Sequence, residues 1–342
     1  MNSVLSPCDF HQTLVQWARH HGRHDLPWQL SPSPYSVHVS EIMLQQTQVA
    51  TVIPYYQRWM ASFPTIQALA SAAEDEVMSH WQGLGYYSRA RNLRKAAQYL
   101  LQEFSGHYPR TLKQIEQIPG VGRYTAGAIV SFAYNEPGPI VDGNVRRLFC
   151  RYFAIEGIPA STAVNRKLWE LAEQYTLEND CRPYAQSLLD MGATVCTAKN
   201  PDCPGCPLHE SCQARQTDRV AELPTPKPSK KQPIRSGLFH WHMQQDRLYL
   251  VKRPSPGIWA SLWCLPQETS NQIRETDPPV LGTFKHTFSH YKLDATVILE
   301  RSLQTDGQYF SRQELTQLGL PTPIRQFIEQ HWPDDTGMLY NQ

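Results

Sequence analysis

No stretch of this chain carries the roughly 18 consecutive apolar residues that a membrane-spanning helix needs, so no transmembrane segment is expected. The amino-terminal residues lack a basic segment followed by an apolar one, so no secretory signal is expected and the chain is assigned to the cytoplasm. An excess of one charge is lacking too: 32 Lys and Arg face 31 Asp and Glu, a net charge of +1. Up to residue 235 there are 23 basic and 20 acidic residues, and beyond it 9 and 11. Any surface for nucleic acid must therefore be local, with Arg89, Arg91, Arg94 and Lys95 as one candidate and Arg146, Arg147 and Arg151 as another. Internal repeats and long low-complexity tracts are absent. What remains, 41% hydrophobic and 18% charged residues over 342 positions, is the composition of a globular protein with room for two cores.

The first 220 residues also lack strand-like alternation. Apolar residues recur at helical spacing over 9–21, 36–46, 48–62, 74–82, 89–104, 112–117, 123–134, 143–153, 162–178 and 183–192. Thr47, Ser71, Ser88, Thr111 and Asp142 stand where N-caps are wanted. Composition then changes. Residues 222–235 are rich in proline and lysine and read as a solvated linker. Beyond it, 236–243, 247–253, 280–286 and 292–301 read as strands, and 311–318 and 322–331 as helices. The expected organisation is an all-α region over 1–221, the linker, and a separate α+β domain over 236–342.

Four of the eight cysteines lie within seventeen residues: Cys196, Cys203, Cys206 and Cys212, spaced C-x6-C-x2-C-x5-C. In a reducing compartment, thiols this close are more often ligands than disulfides or a coincidence of free thiols. A Cys₄ set suits zinc or an iron–sulfur cluster. Zinc sites usually pair two CxxC knuckles, whereas one CxxC with longer arms leans toward [4Fe–4S]. Such a fully ligated cluster would be structural or redox-tuning. Lys199 and Arg215 would place positive charge beside it. Cys8, Cys150, Cys181 and Cys264 are scattered and read as ordinary thiols.

The second signal is Ile118-Pro119-Gly120-Val121-Gly122-Arg123-Tyr124-Thr125-Ala126, a hairpin that opens a helix. Its glycines permit positive φ, and the free N–H groups of the helix start can hold a phosphate without reading sequence. The plain alternative is a helix–turn–helix corner. Asp142 reads first as an N-cap. A carboxylate so placed stays ionised and would stabilise a developing oxocarbenium ion. Glycoside chemistry also needs a proton donor, and Glu41 is the candidate: in an apolar setting its carboxyl holds a proton near neutral pH. The plain alternative for Glu41 is an exposed surface position.

Five segments together resemble the helix-hairpin-helix DNA glycosylases with an iron–sulfur loop, the endonuclease III superfamily, and within it the MutY family. They are Asp25-Leu26-Pro27-Trp28, Ser40 to Val49, Gly83-Leu84-Gly85-Tyr86-Tyr87-Ser88-Arg89-Ala90, Ile118 to Ala126, and Val141 to Arg147. The resemblance covers most of 1–220. It implies a six-helix part over about 25–134, and a cluster part formed by 1–24 and 135–221. Strand-cutting members carry a lysine nucleophile where this chain has Tyr124, which cannot form an imine. The implied enzyme is therefore a monofunctional adenine DNA glycosylase of base excision repair. Its partner is duplex DNA containing adenine opposite 8-oxoguanine or guanine. It would act as a monomer in the cytoplasm, nucleoid-associated in a bacterium.

Gly257 to Pro266 resembles the approach to a Nudix box. The acidic helix that should follow is absent: Arg274-Glu275 occurs without the downstream acid pair. The domain is expected to keep a Nudix-like fold without pyrophosphatase activity, and to recognise 8-oxoguanine through Phe288, Ser289 and His290.

The resemblance also implies residue roles. Glu41 protonates N7 of adenine. Asp142 stabilises the sugar cation and forms a transient adduct, with Asn144 aligning it and Tyr124 over the sugar. Trp28 lines the adenine pocket. Gln46 and Tyr86 fill the gap left by the extruded base, Gly120 and Gly122 hold the backbone, and Arg89 contacts DNA. His24 and Gln29 depart from the pattern, standing where basic residues can occur. Three other readings compete: a bifunctional glycosylase/lyase of the endonuclease III type, a non-catalytic iron–sulfur DNA-binding protein, and an active nucleotide hydrolase.

Overall fold

A computed structural model describes residues 3–228, 231–268, 279–300 and 306–333. Arg274 and Glu275, residues 229–230 of the linker, position 301 of the last expected strand and the end of the carboxy-terminal domain lie outside the described residues. Contacts divide the chain into two compact units: residues 1–70 with 95–228, and 71–94 with 229–342. Among the described residues no helix is long and apolar enough to cross a membrane.

The first unit is helical. Pro7–His21, Pro34–Leu44, Val49–Ser62, Arg123–Ile129, Gly143–Tyr152, Thr162–Tyr175 and Cys181–Asp190 are its main helices, near the expected spans. Their starts have identifiable chemical causes. Ser6 caps the first, with Pro7 at a position where no N–H is needed. Ser33 and Ser36 cap Pro34–Leu44 reciprocally. Thr111 and Asp142 are caps as expected, whereas Gln48 and Ala73 precede the helices for which Thr47 and Ser71 were the candidates. Two helices widen at their ends into π turns, Val130–Tyr134 and Met191–Val195. Such turns release backbone carbonyls from the regular ladder. Gly192 in the second lies so close to the neighbouring helix that a Cβ there would come within 2.5 Å of the Asn144 Cβ.

In the second unit β1 (Ile234–Trp241), β5 (Gln267–Glu268), β6 (Val280–Thr287) and β7 (Lys292–Leu299) form one sheet in the order β5-β1-β7-β6, with β1 and β7 parallel. The remaining strands are β2 (Met243–Gln244), β3 (Arg247–Lys252), β4 (Trp263–Cys264) and β8 (Gln308–Ser311), with β3 pairing all three others. Phe239, Trp241, Leu250, Val297, Ile324 and Phe327 form the core. Helix Glu74–Trp81 and the turn after it belong here by contact. Lys252 pairs with Asp75, the Tyr87 hydroxyl donates to the Leu320 carbonyl, and Arg325 donates to Gln82.

Candidate active site

In the first unit the buried helix Pro34–Leu44 carries Glu41, which is only 5% exposed. Its residues from Tyr35 to Met43 are all buried, so a carboxyl here has no solvent-facing side to occupy. The Tyr124 hydroxyl donates to Glu41 Oε2 at 2.6 Å. Burial pushes the Glu41 carboxyl up to about 7; the Tyr124 bond opposes this rise and the charge of Asp142 adds to it. Burial also holds the Tyr124 phenol well above its usual value, so it remains a donor.

Asp142 sits at the N-terminus of Gly143–Tyr152. Its Oδ1 accepts from the Val145 N–H at 2.7 Å and its Oδ2 from the Asn144 amide at 3.0 Å. Burial raises its pKa as well. The Val145 and Asn144 donors and Arg147 counteract that rise. Asn144 is held in turn: its Oδ1 accepts from Arg147 at 2.9 Å, while Arg147 also donates to the Gly192 carbonyl in the π turn at 2.5 Å and to the Cys196 carbonyl at 2.7 Å. The sequence offered Arg147 only as part of a basic patch. The signal available was its position three residues after Asn144, one helical turn away.

Glu41 faces a cavity of about 380 Å³. Trp28, Ser40 and Val49 form part of its wall, with Trp28 set edge-on to Tyr56 at 5.4 Å. His24 and Gln29 line it too. Helix Cys181–Asp190 supplies Gln186 and Asp190, which sequence reading missed. Asp190 is fully buried and paired with Arg23 at 2.7 Å, and Gln186 donates to it at 2.8 Å.

The remaining candidates divide into presented and committed groups. Gln46 is exposed with φ +57°, and Tyr86 is 49% exposed with φ +46°; both are left-handed conformations uncommon outside glycine. Gly120 has φ +81°, and Gly122 caps Arg123–Ile129 with open space where a Cβ would stand. Arg89 is buried, donates to the Leu84 and Gly85 carbonyls, and stacks on Trp81 and Tyr86. Instead of reaching outward, it holds the turn that presents Tyr86. The same correction applies to most of both basic patches: Arg91 donates to the Ala260 carbonyl, Arg94 to Ala72, Arg146 to Pro159 and Arg151 to Leu223 and Thr197.

In the second unit Phe288 is half-buried between β6 and β7, while Ser289 and His290 are exposed. Gln232 donates to the Phe288 and Ser289 carbonyls, both at 3.1 Å. These three residues line a cavity of about 360 Å³ together with Tyr86 and Ser88.

The [4Fe–4S] expectation is corrected. Among the described residues no group of three or more His, Cys, Asp or Glu side chains is placed to hold a metal ion. Cys212 Sγ donates to the Arg151 carbonyl, and Cys196 Sγ accepts from the Arg151 guanidinium at 3.5 Å. The spacing of the four cysteines stands and all four line one small cavity, but their side chains are not placed as a metal site.

Comparison with known proteins matches residues 39–174 to the HhH-GPD superfamily of base excision DNA repair proteins and 238–330 to the NUDIX domain. The adenine DNA glycosylase of Buchnera aphidicola subsp. Baizongia pistaciae is 35% identical over 93% of this chain and 95% of that one. The human adenine DNA glycosylase is 38% identical over 87% of this chain and 67% of its own length. Among solved structures, a thermostable thymine-DNA glycosylase superposes with a TM-score of 0.57 at 26% identity, covering 62% of this chain and 97% of that one. An endonuclease III–DNA complex shares the fold, with a TM-score of 0.52 at 22% identity over 63% of this chain and 99% of that one. With the helical and Nudix-like units both matched, the chain belongs to the adenine DNA glycosylase family.

Proposed function

We propose that this adenine DNA glycosylase removes adenine mispaired with 8-oxoguanine or guanine in duplex DNA, acting as a monomer, and that it is monofunctional. The observation that carries the mechanism is the buried Glu41 carboxyl, held by Tyr124 beside the capped Asp142. Two carboxyls with different partners divide an acid's work from an anion's. Asp142 has donors that favour its charge, whereas Glu41 has a single phenol and keeps its proton near neutral pH.

Glu41 delivers that proton to N7 of an extruded adenine stacked beside Trp28. The C1′–N9 bond breaks with its electron pair leaving on the base. The resulting oxocarbenium ion lies against the Asp142 carboxylate, aligned by Asn144, until water adds at C1′ and loses a proton. Tyr124 orients Glu41 and offers no amine for an imine, so the strand stays intact at the abasic site. Gln46 and Tyr86 are wedges for the space the base leaves. Gly120 and Gly122 allow the close approach of a phosphate. Phe288 stacks, and Ser289 with His290 meets the N7–H of 8-oxoguanine, a donor that guanine lacks. Residues 1–221 carry the chemistry and 236–342 the reading of the opposite base, with 71–94 joining the second unit.

The test is single-turnover cleavage of a labelled duplex containing adenine opposite 8-oxoguanine, with and without alkali. Breaks should appear only after alkali. In Glu41→Gln they should fall by about 10²–10⁴-fold with duplex binding intact. Breaks without alkali would establish a lyase instead.

A further inference from the structure

Behind the loop 287–290 stands an aromatic group that the proposed chemistry does not use. Trp259 lies 5.3 Å from the Phe288 ring and 5.7 Å from that of His286, and His286 meets Phe288 edge-on at 4.5 Å. Trp259 has φ +55°, a conformation that a bulky residue adopts only where its surroundings impose it. The next residue, Ala260, is 2% exposed, and its carbonyl accepts from Arg91 at 2.5 Å. Arg91 lies one turn into the helix that begins at Ser88, directly after Tyr86 and Tyr87. The turn presenting Tyr86 and the loop presenting Phe288 are thus joined, through Arg91, Ala260 and Trp259, by contacts internal to the second unit.

We propose that Trp259, fixed by the bond from Arg91 to the Ala260 carbonyl, is a positioning residue that holds Phe288 and the loop 287–290 in the conformation that distinguishes the base opposite adenine. This rests on the assignment of that loop to opposite-base recognition. Trp259 works through Phe288, so its removal affects discrimination and leaves the cleavage step alone.

The full chain is assayed at single turnover on adenine opposite 8-oxoguanine and opposite guanine, and the ratio of the two rates is the readout. Trp259→Ala should lower that ratio by about threefold to tenfold, the worth of one lost aromatic pair, with the rate opposite guanine kept within about twofold. Trp259→Phe should restore most of the ratio, a recovery that a general loss of stability would not give. Arg91→Met leaves every ring in place, should lower the ratio by a smaller factor, and carries the test should Trp259→Ala fail to fold. A ratio unchanged in both variants while Phe288→Ala lowers it overturns the inference alone. A ratio unchanged even in Phe288→Ala overturns the assignment of the loop, and this inference with it.

Discussion

The candidate sites of the two units use opposite means. The group around Glu41 is built on charge in a buried setting: two carboxyls, a phenol, an amide and a guanidinium, each fixed by a hydrogen bond, of which Glu41 lines the cavity. The cavity at Phe288 is built around rings, with Trp259, His286 and Tyr291 packed on it and its polar groups at the exposed tip. Hydrogen bonds between buried polar groups lose much when one partner is removed, because the other is left unpaired. Ring contacts lose in smaller steps. Chemistry that moves a proton and stabilises a cation suits the first arrangement, and graded discrimination between two purines suits the second.

Three substitutions sharpen that contrast. Asp142→Asn keeps a residue competent to cap the helix and removes the charge. Single-turnover base removal should fall by about 10²–10³-fold, as when one electrostatic stabiliser is lost, with the thermal midpoint nearly unchanged; a mild kinetic effect would mean that Asp142 is only a cap. Arg147→Met frees the Asn144 amide and strands the Gly192 and Cys196 carbonyls. It should cost about 1.5–3 kcal/mol in denaturant unfolding and slow cleavage with it, whereas a change in stability alone would break the link to Asp142. Tyr124→Phe has the smallest expected effect and acts through pH. In the proposed mechanism protonated Glu41 carries the rate, so activity should fall as pH rises through about 7. The Tyr124 bond opposes the rise in the Glu41 pKa, so its loss should move the falling limb to higher pH. A limb that stays in place or moves to lower pH would contradict the role given to Tyr124.

The helical unit was legible in the sequence because its amphipathic spacing is regular and its caps are local: Asp142 before Gly143-Asn144 announces a helix start on chemistry alone. Glu41 was legible as a candidate only. This helix is buried on every side although Ser36, His38 and Ser40 share it with Glu41, so its polar positions read as a solvent face, and the surface alternative fell only when the neighbours of Pro34–Leu44 were in place. Arg91, Arg94 and Arg151 were misread because their partners are backbone carbonyls far along the chain. Nothing near Arg91 announces Ala260, 169 positions away. Nothing local ties 71–94 to the second unit either. The cysteine spacing fixed how near the thiols lie in sequence but not where each Sγ points or what Arg151 does among them.

Those tethered arginines bear on how the protein meets a polyanion. Arg89, Arg91, Arg94, Arg147 and Arg151 spend their donors on the protein's own carbonyls. A guanidinium so engaged displaces few condensed counterions when a duplex arrives. The slope of log affinity against log salt follows the number of phosphates neutralised, about 0.9 per contact on B-form DNA. For this chain that slope is set by other basic side chains, among them the exposed Arg58, Lys95 and Arg123, and the five tethered arginines add little to it.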